Sequence, residues 1–321
     1  MAICYKLQEA GRPSEGQDAQ ALSSLIPVDA LEAQTSDTPI VAILSKQEFV
    51  QLGLEQPGAH ESLDALTAAE SNYVDLCPAY IVGSLAVPSR TDTGAEPSLY
   101  AFYMDRHQLI FVDEGESAKR ALEHVIDIGV LSGATTGHCL YVFFKELLVN
   151  DLKSLGTLED EMECIEEQLL DADSDIPSGT IMRYRRQTMR LDVYYQEMAT
   201  MASILSDNEN KLMDDAVSPA FDHIESLADR LATRAETLKE YSLQLHELQQ
   251  TRIDLKQNSI MQVFTIVTVL FAPLTLVTGW FGMNLSLIPG LDWPYMWAVL
   301  VAAALLCTGG LLAFFKWKKW L

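Results

Sequence analysis

"IMQVFTIVTVLFAPLTLVTGWFGMN", residues Ile260 to Asn284, decides the reading of this chain. No Asp, Glu, Lys or Arg interrupts the sequence from Gln257 to Leu291, and none interrupts it from Trp293 to Phe315. Each run exceeds the roughly 20 residues that a membrane-spanning helix needs. "IMQVFTIVTVLFAPLTLVTGWF" reads as one span and "YMWAVLVAAALLCTGGLLAFF" as a second, joined by a short loop that carries Pro289, Gly290 and Pro294. Two antiparallel spans put both outer ends on one side. Lys316, Lys318 and Lys319 follow the second span, so the excess of cytosolic cations beside membrane helices predicts a cytosolic C-terminus and a cytosolic N-terminal body.

The first span is no plain anchor. Asn258, Met261, Thr265, Thr268, Ala272 and Thr275 recur at alternating steps of three and four, which puts them on one helix face. Gln262 and Thr278 add further polar atoms. A threonine in a membrane helix can bond back to its own helix and ease packing. A whole stripe that begins with Asn predicts a face lining water or packing on other helices. Two spans cannot enclose a pore, so a lined pathway requires several chains with this helix at the centre.

Upstream of the membrane, the material changes. Only three of the 22 basic and one of the 45 acidic residues lie beyond Ser259, so the body is strongly acidic. That balance speaks against nucleic acid, which needs Lys and Arg against its phosphates. It suits a cation partner. The five cysteines form no C-x-x-C pair and the six histidines no H-x-x-x-H pair, so the reading is reduced thiols without a cysteine or histidine metal centre. The N-terminal stretch lacks the basic and apolar regions of a cleaved signal peptide.

The fold class is therefore an α+β cytosolic domain, a mixed α/β N-terminal part plus long helices, joined to a two-span α-helical membrane hairpin. Residues 1-135 are expected to form the α/β domain. "AICYKL", "PIVAIL", "PAYIVGSLAV", "SLYAFYM" and "QLIFVD" read as strands, with a hairpin turn at Asp105-Arg106-His107 and a helix from Glu116. Residues 136-258 are expected to hold long acidic helices and the start of the pore helix. One begins at "HCLYVFFKELL"; another is expected to start with Thr157 as its N-cap. From about Pro219 the spacing of Ile224, Leu227, Leu231, Leu238, Leu245 and Leu248 predicts one helix running to Phe281. Residues 259-321 hold the two spans, the loop and the basic tail. There is no Gly-rich phosphate loop, no G-x-S-x-G and no catalytic constellation, so no enzyme is expected.

Gly282-Met283-Asn284 at the end of the first span, the Pro273-Leu274-Thr275 run inside it, the Pro-containing loop and the "KWKKWL" tail together resemble the CorA family of magnesium channels. The resemblance is strongest over Asn258 to Leu321. It implies a homopentamer in the cell (inner) membrane, needing no cofactor, with Mg2+ as transported and regulatory ion. Gly282, Met283 and Asn284 would form the selectivity ring at the outer mouth, with Asn284 holding the ion through its waters. A neutral amide ring suits Mg2+, which releases its waters reluctantly, and it binds weakly enough to let the ion go. By resemblance Asn258 forms a ring at the cytosolic pore end, Thr275 a polar ring above it, and Met261 with Phe264 an apolar constriction. Thr265, Thr268 and Ala272 complete the lining.

The chain departs from the family in two places. Ala272 stands where many members carry a second methionine, and Ile288-Pro289-Gly290-Leu291 stands where many read Met-Pro-Glu-Leu. The carboxylate that senses cytosolic Mg2+ in the family falls by offset near His223, so Asp215, Asp222 and Glu225 are the candidate regulatory residues. A zinc transporter of the ZntB type shares the motif and is the rival within the fold. A helical membrane scaffold or sensor without transport is the rival outside it. The stripe has no His or Cys, the ligands softer ions favour, and so points to magnesium.

Overall fold

A computed structural model describes residues 3–8, 24–28, 38–53, 72–90, 95–115, 117–128, 135–171, 176–283 and 295–318. Seven strands form one sheet: β1 (Ile3–Gln8), β2 (Ser24–Val28), β3 (Ile40–Leu44), β4 (Tyr73–Leu76), β5 (Ile81–Val87), β6 (Ser98–Met104) and β7 (Gln108–Asp113). Their order is β2-β1-β3-β7-β6-β5-β4, with the β3–β7 pair parallel and the others antiparallel. The expected hairpin at Asp105 joins β6 to β7. The Asp105 carboxylate accepts the His107 and Gln108 amides at 2.7 and 2.9 Å, which closes the turn. β2, β4 and the short helix α1 (Lys46–Gly53) had no expectation from sequence. Ser45 and Glu48 start α1 as a reciprocal cap: the Ser45 amide donates to Glu48 at 3.0 Å, and the Glu48 amide donates to the Ser45 hydroxyl at 3.3 Å.

The sheet is covered on both faces, so its central strands read as unbroken apolar runs rather than alternations. Phe49 of α1 packs with Leu44, Ile110 and Val112 on one face. On the other lie α2 (Ser117–Ile128) and α3 (Thr136–Val149). Phe143 of α3 lies tilted against Phe111 at 4.3 Å and meets Tyr100 edge-on at 5.8 Å; Phe144 meets Phe102 at 5.9 Å. Gly83 of β5 sits beneath this layer. A Cβ there would come within 2.6 Å of the Phe102 ring and 2.7 Å of the Tyr73 carbonyl, so only glycine fits.

Three longer helices follow: α4 (Asp151–Leu170), α5 (Ser178–Asp207) and, after a 3-10 turn at Ser218–Ala220, α6 (Phe221–Phe281). The expected helix start at Thr157 is corrected. α4 runs straight through Thr157, whose hydroxyl donates to the Lys153 carbonyl at 3.2 Å inside the helix. The break lies at Asn150, and its cause is distant in sequence. Arg90, just after β5, donates to the Leu147 carbonyl at 3.1 Å and grips Asp151 through two bonds of 3.0 and 2.8 Å. It also stands 5.1 Å over the Tyr194 ring of α5. One guanidinium thus ends α3, starts α4 and fixes α5.

The chain divides into two compact units, Met1–His246 and Glu247–Leu321. The aromatic layer reaches the root of α6 within the first unit: Phe221 is fully buried, 6.0 Å from Phe144 and 5.8 Å from Tyr141. α6 then buries Ile224, Ala228, Leu231, Ala235, Leu238, Ser242 and Leu245 at alternating steps of four and three. α4 is tied alongside by Glu159–Arg234 at 2.5 Å and by a Tyr241 hydroxyl donating to Glu166; Lys239 reaches Asp192 of α5 at 2.5 Å. The second unit ends in α7 (Met296–Trp317).

The Asp151 side chain is only 4% exposed, so removing Arg90 strands a buried charge. Arg90→Ala is expected to cost about 3–5 kcal/mol in thermal or denaturant unfolding of the full chain. A loss below about 1 kcal/mol would show that Asp151 finds another partner.

Candidate functional site

The membrane half of α6 carries the candidate site. Among the described residues two helices are long and apolar enough to cross a membrane: the one containing α6, with a window of mean hydropathy 2.2, and α7, with 2.4. Pro273 lies inside α6 without ending it. Exposed aromatic side chains mark the ends of these apolar stretches, Trp280 at the end of α6, Tyr295 and Trp297 at the start of α7, and Trp317 at its end. Such rings favour the membrane–water interface. The structure thus keeps both expected spans.

Asn258, Met261, Thr265, Thr268, Ala272 and Thr275 are all exposed on α6, on the shared face their spacing predicts. The same three-and-four stepping continues to Gly279 and Gly282, both exposed, so the seam extends one turn and more beyond the predicted residues. Thr268, Ala272, Thr275, Gly279 and Met283 together line one shallow groove along the helix. Phe264 is 65% exposed, but the helical period puts it beside the seam rather than on it. Within the first unit, His223, Ser226, Arg230, Thr233, Thr237 and Glu240 are exposed, apart from the positions of α6 that are buried between Phe221 and Leu245.

The threonines are all back-bonded. Thr265 donates to the Met261 carbonyl and Thr268 to Phe264, each at 2.8 Å; Thr275 donates to Phe271 and Thr278 to Leu274, each at 2.9 Å. The sequence left two uses open, local bonding or a polar lining; the bonds show the first, and they are compatible with the second. A hydroxyl has one hydrogen and two lone pairs. With the hydrogen committed to the helix, the oxygen offers only acceptors outward. A hydrated cation turns the hydrogens of its waters outward, so an acceptor surface complements it and would not compete with the waters for the ion.

Helix α6 closes through Gly282, whose amide donates to the Thr278 carbonyl at 2.9 Å. A Cβ on Gly282 would come within 2.9 Å of that same carbonyl, which explains a glycine here. Met283 follows, 49% exposed. Asn284 and the loop with Pro289, Gly290 and Asp292 lie outside the described residues.

The candidate regulatory residues separate. Asp222 and Glu225 come together on the first turns of α6, in a groove shared with Asp229 and Arg230. Asp215 lies exposed in the turn before the 3-10 segment and does not line that groove. Asp229 was missed; its place one turn after Glu225 was the available signal. Among the described residues no three His, Cys, Asp or Glu side chains of one chain converge as a metal site. Arg230 further offsets the acidic groove.

Comparison with known proteins gives these features a context. The model of the CorA-like Mg2+ transporter protein family matches residues 60–318. Over 193 residues the chain is 24% identical to the cobalt/magnesium transport protein CorA of Thermotoga maritima, covering 60% of this chain and 55% of that protein. A putative metal ion transporter of Bacillus subtilis is also 24% identical, over 57% of this chain and 58% of its own length. The chain thus spans little more than half the length of these curated relatives. Among solved structures, the CorA magnesium transporter of Methanocaldococcus jannaschii superposes over 100% of this chain and 99% of its own, with a TM-score of 0.80 and 18% identity. The ZntB cytoplasmic domain of Vibrio parahaemolyticus shares the fold over 68% of this chain and 89% of its own, with a TM-score of 0.50 and 12% identity.

Because their hydroxyls are exposed and locally bonded, Thr268→Val and Thr275→Val are expected to leave helicity intact and to change stability by no more than about 0.5 kcal/mol. Circular dichroism melts in detergent measure this. A loss above about 2 kcal/mol would mean that the seam threonines hold the protein's own packing rather than face outward.

Proposed function

Because the chain belongs to the CorA-like Mg2+ transporter family, we propose that it is a divalent-cation channel, passing Mg2+ through a homopentameric pore lined by the seam of α6. The observation that carries this reading is the continuous exposed seam from Asn258 to Gly282, uncharged and with its threonine hydrogens turned inward. Five such seams facing one axis give a narrow, oxygen-lined path. Met261 sits between Asn258 and Thr265 on that face and supplies the apolar constriction, where a narrow ring without polar atoms stops flow by dewetting. Ala272 is too small to make a second constriction of the same kind.

At the outer mouth, Gly282, Met283 and Asn284 form the selectivity ring. Gly282 permits the tight end of α6, Met283 packs, and the Asn284 amide oxygen accepts from the waters of the hydrated ion. The transported ion stays hydrated because Mg2+ gives up its octahedral waters at high cost. No His or Cys lies on the seam, so it lacks the ligands that would favour Zn2+. The protein lies in the inner membrane with both termini in the cytosol, as Lys316 and Lys318 at the end of α7 suggest. Asp222 and Glu225 are assigned to sensing cytosolic Mg2+, with the partner ligands supplied by a neighbouring subunit; Asp215, outside their groove, is the weaker candidate.

Ion uptake into proteoliposomes tests the channel reading. Wild type is expected to admit Mg2+, and Asn284→Ala to lose at least about tenfold of that flux. Zn2+ uptake with little Mg2+ flux moves the protein to the zinc-transporting reading, and no flux of Mg2+, Co2+ or Zn2+ from a folded wild type rejects transport. For the sensor, the Asp222→Ala/Glu225→Ala double variant is expected to need several-fold more internal Mg2+ for closure; an unchanged closing concentration removes both residues from that role.

A further inference from the structure

Two arginines of α5 border a cavity within the first unit. In a chain with 45 acidic and 22 basic residues, α5 carries Arg183, Arg185, Arg186 and Arg190 with no carboxylate from Ser178 to Leu191. Two of them, Arg186 and Arg190, border a cavity of about 440 Å³ between α5 and the chain on either side of β5 and β6. That volume falls in the range of small-molecule sites, roughly 300–1,000 Å³. Its walls are apolar: Pro88 and Pro97 on one side, Met189 and Val193 on the other. Met189 and Val193 are 47% and 52% exposed, an apolar surface left open next to a cationic one. Tyr194 also lines the cavity, with the Arg90 guanidinium 5.1 Å from its ring.

The far end is different in charge and is held in place. Glu197 accepts from the Asn72 amide at 3.2 Å and from its side chain at 2.5 Å, while the Asn72 carbonyl oxygen accepts the Ala86 amide at 2.7 Å. A fixed carboxylate thus stands about 10 Å along the helix from Arg190, seven residues at 1.5 Å each. The cavity has a cationic end, an apolar middle and an acceptor end.

We propose that this cavity binds an elongated organic anion of the nucleoside monophosphate class. Guanidinium groups suit a phosphate because their planar donors match its oxygens. The proline and methionine walls suit a flat ring, methionine being adaptable in such contacts. Glu197 suits an amino donor on that ring, since a carboxylate accepts more than two hydrogen bonds. The span between the two ends matches a ligand about 10 Å long better than free phosphate or a free base.

The test is isothermal titration calorimetry on the full chain in detergent, with AMP as the probe and adenosine and inorganic phosphate titrated separately. One saturable AMP site per chain is expected, with each fragment at least about tenfold weaker. Arg186→Ala should weaken AMP at least about tenfold. Met189→Trp should abolish it by filling the middle of the cavity, and Thr200→Ala, on the exposed helix beyond it, should change nothing. Both pocket positions are exposed, so the fold survives the changes. The proposal is overturned by an absence of saturable AMP binding, which is also the result if a neighbouring subunit covers this face. It is overturned equally by phosphate binding as tightly as AMP, or by AMP binding unchanged in both pocket variants.

Discussion

The packing of α6 in the first unit starts from one buried ring at its root. Phe221 is sealed into the aromatic layer on the sheet, and the heptad of Ile224, Leu231, Leu238 and Leu245 commits that side to packing. A helix turns by a fixed angle per residue, so fixing one face fixes all the others. Within the first unit, the exposed residues of α6 therefore take their direction from what Phe221 and this heptad bury.

The polar bonds between helices work to the same end. Arg90 decides where α3 stops and α4 starts, and the Glu159–Arg234, Glu166–Tyr241 and Asp192–Lys239 contacts hold α4 and α5 to α6. Partly exposed pairs of this kind add little stability each. Their value is positional: Glu159 and Glu166 are seven apart, and so are Arg234 and Tyr241, so the pairs lock a register between two parallel faces. Leucine contacts alone would tolerate a slip by one heptad.

Much of this was legible in sequence, for particular reasons. The two spans announce themselves by their uncharged length, and the central strands by apolar runs buried on both faces. The seam residues shared a period that the backbone kept. What stayed illegible depended on distant partners. The end of α3 at Asn150 is set by Arg90, sixty residues away, and nothing in "LLVNDLKSL" reveals that. β4 is a four-residue edge strand held by β5, too short to carry a pattern of its own. The α5 cavity joins residues from four stretches of chain, so no local motif signals it. Asp222 and Glu225 share a groove that Asp229 and Arg230 enter from the next turn, a grouping the helical period allows but does not single out.

From Gln257 to Leu291 the chain also contains no histidine, cysteine or tyrosine, in addition to having no charged side chain. Not one side chain along the seam changes its protonation in the physiological range. In the proposed channel, a proton moving with the ion would need successive side chains to take it up and release it, and the seam supplies no such group. The proposed channel therefore carries with it downhill movement, driven by the ion's own gradient and the membrane voltage, through an interior indifferent to pH.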